Sequence, residues 1–209
     1  MRDSLAGAID FCYLEEAVPE EYWDYGGLLL KRPPSWLVAL NKNLPDEEAE
    51  LTAAHELLHA RLSRRGFLGV ASRVGFLAPL ASCFSSALSD PLIDRLMLEE
   101  GFDVEKLWRR EWGHLGESFP GDVEDREAPA FEVEVLRLLR YFPVLQRLPW
   151  EGLKNYYQNR LPPVWEGARK LIIELPGKPL PGNPGEYLYR LKNLVRWSHY
   201  HELLELTPA

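Results

Sequence analysis

The sequence predicts an α+β fold that is mostly helical. Short apolar runs bounded by Pro, Gly and Asn precede Pro45, which is the pattern of β-strands. Beyond Pro45, apolar residues recur at helical spacing. The chain has 209 residues, 46% hydrophobic and 27% charged, enough for one generous core or a core with a helical extension. We expect a small N-terminal antiparallel sheet packed on the first long helix, and a helical C-terminal half.

Two strands and one long helix are predicted in the first third of the chain. Residues 25–30 and 35–41 are apolar runs flanked by turn-forming residues, so we expect them to pair. The helix is expected to begin at Pro45, before three acidic residues, and to end at Gly66, after two arginines. Its apolar stripe consists of Leu51, Ala54, Leu58 and Leu62.

This helix carries a pattern that is typical of a zinc hydrolase. His55 and His59 are four residues apart, so both side chains leave one helix face and can bind one metal ion. Glu56 follows about 100° round the helix, near the metal without ligating it. There its carboxylate can take a proton from a zinc-activated water.

The pattern is the arrangement of the zincin metallopeptidases. The run that carries the closer likeness extends from Trp36 through Asn41, Leu44 and Pro45 to His55 and His59. It resembles the start of the catalytic core in ImmA/IrrE-type and related compact gluzincin-like metallopeptidases, over roughly residues 26–100. The resemblance implies Zn²⁺ as cofactor, a peptide or protein as substrate, and an edge strand beside the motif helix to which an extended substrate adds.

A catalytic zinc site needs a third protein ligand and an open fourth position. Asp90 and Asp94 lie one turn apart on a predicted helix that begins near Ser89. Gluzincins place a ligating acid on a later helix and an orienting acid four residues beyond, which would make Asp90 the ligand and Asp94 its support. However, Asp90 precedes Pro91 and suits a helix N-cap, which would leave Asp94 as the ligand. We favour Asp94 and keep Asp90 as the alternative.

Other candidate site residues are weaker. Glu99 and Glu100 lie further along the same predicted helix. A group that stabilises the developing oxyanion is expected from the Tyr- and His-rich segment 187–201, but no spacing selects one. We expect His199, His201 and His114 to be mainly surface or packing residues.

Composition excludes several classes of function. A net charge of −8 and dispersed basic residues disfavour direct nucleic-acid binding. The apolar stretch 67–88 is broken by Arg73, Gly75 and Pro79, so we expect buried helices and loops and no membrane association. Cys12 and Cys83 form no disulfide framework, and no signal peptide is evident, so we expect a cytoplasmic protein.

The expected organisation is a zincin-like catalytic core over residues 1–112, an acidic loop over 113–127 and a helical C-terminal subdomain over 128–209. In the last part, Phe131, Val135, Leu138, Leu139 and Phe142 lie at helical spacing, and helical segments follow near 150–175 and 184–206. The main hypothesis is a zinc-dependent hydrolase that acts as a cytoplasmic metallopeptidase. The alternatives are a zinc-binding scaffold without turnover and a helical interaction protein in which the motif is accidental.

Overall fold

The computed structural model describes residues 9–23, 25–32, 35–114, 128–141, 151–174 and 181–208. The fold is α+β and mostly helical, as predicted. The strands are β1 (Ile9–Tyr13), β2 (Gly27–Arg32), β3 (Ser35–Leu40), β4 (Leu68–Ser72) and β5 (Leu204–Pro208). The helices are α1 (Leu14–Ala17), α2 (Asp46–Arg64), α3 (Ala78–Glu99), α4 (Val104–His114), α5 (Pro129–Tyr141), α6 (Glu151–Arg160), α7 (Pro162–Glu174) and α8 (Pro184–Trp197).

The N-terminal sheet has the strand order β1-β3-β2. The two predicted strands pair as expected, with β2 antiparallel to β3 from Gly27 opposite Leu40 to Arg32 opposite Ser35. The expectation of a wholly antiparallel sheet is wrong, because β1 pairs with β3 in parallel. The chain passes through β2 before it returns along β3, so β3 runs in the same direction as β1. β3 is therefore the central strand of this sheet.

Helix α2 lies against β2 and β3, as the sequence predicts. Its apolar stripe is largely buried, with Leu51, Leu58 and Leu62 at 4%, 9% and 4% exposure. The predicted ends are also correct, since α2 runs from Asp46 to Arg64 and Gly66 follows with φ of +85°. That positive φ is a left-handed conformation that glycine adopts without steric cost.

The described residues form two compact units. The first lies within Met1–Arg64 and Ile93–Glu111 and contains the three-stranded sheet, α2, the last part of α3 and most of α4. The second lies within Arg65–Leu92 and Trp112–Ala209, where α7 packs against α5 and α6. The predicted acidic loop lies outside the described residues from 115 onward, as do Phe142 and residues 175–180 of the Pro-Gly-rich link.

The second unit ends in a strand that the sequence analysis missed. β5 pairs antiparallel with β4, from Leu68 opposite Pro208 to Ser72 opposite Leu204. The predicted helix over 184–206 is thus wrong beyond Trp197, where α8 ends. Its start is correct, because the Asn183 side chain caps the helix by accepting a hydrogen bond from the Glu186 backbone N–H at 2.9 Å. Strand β5 forms because its backbone pairs with that of β4, a strand that is far away in sequence.

Helix α3 is one continuous helix of 22 residues. The predicted helix start at Ser89–Asp90 is wrong, since Asp90 lies inside α3 and Pro91 follows it there. A proline inside a helix has no backbone N–H to donate to the carbonyl oxygen of the residue four positions earlier. Nearby, the Ser89 hydroxyl lies 2.9 Å from the Ser85 carbonyl oxygen, to which it can donate. Burial of α3 in the core outweighs the local cost of Pro91.

The segment Gly75–Glu99 is long and apolar enough to cross a membrane, judged by length and composition alone, within the part of the chain that the structure describes. In its most apolar window, 61% is buried inside the protein. Buried core helices meet the same criteria, so this segment is weak support for a membrane span.

Gly27 permits the close approach of β2 and α2. A Cβ atom at this position would lie 2.7 Å from the Thr52 Cγ2 methyl and 3.1 Å from Leu40 Cδ2. We expect Gly27→Ala to lower the free energy of unfolding by about 1–3 kcal/mol through overpacking. Urea denaturation followed by circular dichroism measures the change.

Gly75→Ala is the control for this substitution, because a Cβ at position 75 would have no atom of a non-neighbouring described residue within 4 Å. Its free energy of unfolding should change by less than about 0.5 kcal/mol. Equal stability of Gly27→Ala and the parent would contradict the packing that we describe.

Candidate metal centre

The two histidines of α2 lie together on one face of that helix. Their Nε2 atoms are 3.1 Å apart, and the His55 side chain is 12% exposed. Two imidazoles on one tetrahedral zinc, at about 2.0–2.1 Å each, hold their nitrogens about 3.3 Å apart. The observed separation is thus close to what a shared ion requires. Without an ion it also suits a hydrogen bond in which one ring donates and the other accepts.

Asp90 lies on α3, in the part of that helix that belongs to the second compact unit, whereas both histidines belong to the first. Its side chain is buried, with 3% exposure. Within the first unit the structure brings together the two imidazole nitrogens, a pair that could hold a metal ion.

The capping role considered for Asp90 is wrong. An N-cap carboxylate accepts hydrogen bonds from the first N–H groups of a helix, but α3 begins at Ala78, three turns before Asp90. Asp90 instead has polar partners outside the helix backbone. Its Oδ2 lies 3.0 Å from Arg140 Nε, and its Oδ1 lies 3.0 Å from the Ser89 hydroxyl oxygen.

Asp94 lies one turn after Asp90, behind the imidazole of His55. Its Oδ1 is 3.9 Å from His55 Nδ1, the ring nitrogen on the side away from His59. Its Oδ2 accepts a hydrogen bond of 2.9 Å from the Trp108 indole N–H. Asp94 is 3% exposed. A carboxylate facing the second nitrogen of a metal-binding histidine typically fixes the orientation and tautomer of the ring.

Glu56 lies next to His55 on α2 and is partly exposed. The helix places its side chain about 100° round from that of His55. A partly exposed carboxylate beside the two imidazoles has access both to the histidine face and to water. This placement is compatible with a proton-accepting role.

The other acidic candidates lie at the end of α3, beyond Asp94. Glu99 and Glu100 are exposed at and just after the end of α3, and Glu99 pairs with Arg95 at 3.7 Å. Since α3 carries Asp94 more than one helical turn before Glu99, the two glutamates lie further along the helix than the described group.

The C-terminal histidines serve the packing of the second unit. Glu132 on α5 is fully buried, and its Oε1 lies 2.9 Å from His199 Nδ1 and accepts the His199 backbone N–H at 2.8 Å. The Ser198 hydroxyl also donates to this carboxylate. His201 Nδ1 lies 3.0 Å from the Ser198 carbonyl oxygen. The side chain of His114 lies outside the described residues.

Among the candidate tyrosines, Tyr187 is buried at 1% exposure whereas Tyr189 is 57% exposed. Burial raises the pKa of Tyr187 well above its ordinary value. The negative charge of Asp90 raises this pKa further, whereas a hydrogen bond with Ser89 lowers it by less than burial raises it. The hydroxyl therefore stays protonated at physiological pH. The structure places Tyr187 near the Asp90 region and leaves the choice of an oxyanion-stabilising group open.

Sequence reasoning missed Arg140 and Trp108, the partners of the two aspartates. Arg140 lies on α5 and Trp108 on α4, which are 50 and 14 residues from their respective partners. The helical spacing of α5 indicates an amphipathic helix but gives no sign that one arginine faces a buried carboxylate. A tryptophan on an amphipathic helix likewise predicts core packing alone.

Comparison of the chain with models of protein families, with curated proteins and with solved structures found no match.

The reactivity of the Cys83 thiol can be used to test whether α3 is buried, since Cys83 lies on this helix two turns before Asp90. Burial raises the pKa of its thiol to about 11. At pH 8 only about one thiol in a thousand is then a thiolate, the reactive form. We expect native Cys12→Ser protein to react with Ellman's reagent at least 100-fold more slowly than the same protein in urea. Comparable rates would show that Cys83 is accessible.

Proposed function

We propose that this protein is a zinc-dependent hydrolase and that it cleaves peptide bonds. The observation that carries the proposal is the pair His55 and His59, whose Nε2 atoms lie 3.1 Å apart, close to the separation that a shared zinc ion requires. Two imidazoles and one carboxylate are a common ligand set of catalytic zinc, and three protein ligands leave a fourth position for water.

In the proposed site Asp90 is the third ligand and Asp94 is the support. This assignment reverses the preference drawn from the sequence. It is supported by the position of Asp94, whose Oδ1 lies 3.9 Å from His55 Nδ1, on the side of the ring away from the Nε2 atom that lies beside His59. It matches the order of ligating and orienting acids in gluzincin-like sites, with an aspartate where those sites have glutamate.

When bound, zinc polarises a carbonyl and lowers the pKa of water to near 7. His55, His59 and Asp90 would hold the ion, and Asp94 would orient the imidazole of His55. Glu56 would accept the proton of the attacking water as a general base and then donate it to the leaving amine as a general acid.

Peptides are proposed as the substrate because the motif and its preceding strand resemble metallopeptidases. Since β3 is the central strand, an extended substrate would add instead to the sheet edge at β2, the outer strand that contacts α2. The same two-histidine, one-carboxylate set also suits iron(II). A glutamate directly beside the first histidine favours hydrolysis over oxygen chemistry.

Metal content tests the ligand set. We expect about one zinc per chain in the parent and none in His55→Ala, measured by inductively coupled plasma mass spectrometry after dialysis. Asp90→Asn should lose zinc as well, because it removes a ligand charge. Asp94→Asn should still bind zinc, with affinity lowered about 10- to 100-fold.

Glu99→Gln is the matched control on α3 and should keep the zinc content and affinity of the parent. If Asp94→Asn were metal-free while Asp90→Asn kept full affinity, the roles of the two aspartates would be exchanged. A folded parent that takes up no zinc would refute the metal site.

Glu56→Gln tests catalysis separately from metal binding. It removes the proton acceptor and no ligand, so zinc content should be unchanged while cleavage of a fluorogenic peptide library falls about 10²- to 10⁴-fold. Glu50→Gln, an exposed position on the same helix, serves as the control with parental activity. Zinc-loaded parent that cleaves no peptide would favour the non-catalytic zinc scaffold.

A further inference from the structure

We propose that Trp108 is a positioning residue of the metal centre, acting through Asp94 on His55. This inference rests on the proposed zinc site and goes beyond it, because it assigns a role to α4, which carries none of the proposed ligands. The contacts that support it all lie within the first compact unit.

The first contact is the hydrogen bond from Trp108 to Asp94. The indole N–H lies 2.9 Å from Asp94 Oδ2, and Trp108 is 4% exposed. An indole has one donor and no acceptor, so its buried N–H needs an acceptor at a fixed place. The large ring is itself held by packing, which makes it a rigid donor. Trp108 therefore fixes the orientation of the carboxylate.

The second contact runs from Asp94 to His55. With Oδ2 bound to Trp108, Oδ1 is the oxygen that faces His55 Nδ1, at 3.9 Å. This distance is longer than a hydrogen bond, so the attraction is electrostatic and depends on the direction of the carboxylate. A carboxylate at Nδ1 favours the tautomer with the proton on that nitrogen and the lone pair on Nε2. Nε2 is the atom that lies beside His59.

The donor that fixes Asp94 is uncharged. The indole N–H of Trp108 donates to Asp94 Oδ2 without adding a positive charge, whereas a guanidinium in its place would offset part of the carboxylate charge. Trp108 therefore fixes the direction of the carboxylate and does not itself offset the negative charge.

A double-mutant cycle on zinc affinity tests this role. Trp108→Phe keeps an aromatic ring and removes the N–H. Zinc affinity is measured by competition with a chromophoric chelator in four proteins: the parent, Trp108→Phe, Asp94→Asn and the double variant. We expect Trp108→Phe to weaken zinc binding about 10-fold in the parent background. With Asp94 replaced, the same change should alter affinity less than about 2-fold, because the positioned charge is absent.

Trp36→Phe is the matched control, since Trp36 is a buried tryptophan of the same unit, at 8% exposure. It should leave zinc affinity unchanged. A role of Trp108 in general packing would instead weaken zinc binding equally in both backgrounds, and that result would overturn the inference. If the parent binds zinc and Trp108→Phe binds it with the same affinity, the inference is overturned and the proposed function is not. A parent that binds no zinc would overturn both.

A measurement on the unsubstituted protein applies if Trp108→Phe fails to fold. In ¹⁵N-labelled parent protein, we expect the indole N–H resonance of Trp108 to exchange slowly with solvent and to shift when zinc is added. The shift should disappear in His55→Ala. An indole resonance that exchanges fast, or that zinc leaves unmoved while binding stoichiometrically, would overturn the inference.

Discussion

The separation of 3.1 Å between the Nε2 atoms of His55 and His59 is the constraint on which the proposed chemistry depends. Two imidazoles hold this separation because they lie four residues apart on a helix whose other side is fixed by packing. The packing is specific, since Gly27 lets α2 approach β2 more closely than any larger residue would allow. The sheet thereby fixes the helix, and the helix fixes the two nitrogens.

Buried carboxylates give the site its second constraint. Asp90 and Asp94 are held on one helix, each at 3% exposure, and each has a partner suited to its proposed task. Arg140 compensates the charge of the proposed ligand, while Trp108 orients the supporting aspartate. Removing either partner would leave a buried carboxylate less well satisfied, which is costly in a low-dielectric interior. In the proposed site, the stability of the metal-free protein and its affinity for metal would therefore depend on the same contacts.

The continuity of α3 shows how tertiary packing overrides a local signal. Asp90 followed by Pro91 is a good helix start, and the sequence argument drew the wrong conclusion from it. The helix instead begins at Ala78 and includes both residues. A long buried apolar helix gains enough from packing to tolerate one proline, so Asp90 keeps its carboxylate for partners outside the helix backbone. The continuity of α3 removes the capping argument against Asp90 as a ligand, while the proposed supporting role of Asp94 comes from its position 3.9 Å from His55 Nδ1.

The sequence by itself determined the α+β class, the β2–β3 pair, the bounds of α2 and the shared face of His55 and His59. Each of these follows from local periodicity, from turn and end residues or from helix geometry. Only the tertiary structure decided the parallel pairing of β1, the strand β5 and the partners Arg140 and Trp108. These depend on contacts between residues distant in sequence, for which one chain carries no local signal. Asp90 and Asp94 belong to both groups, because helical spacing paired them while packing decided what each one faces.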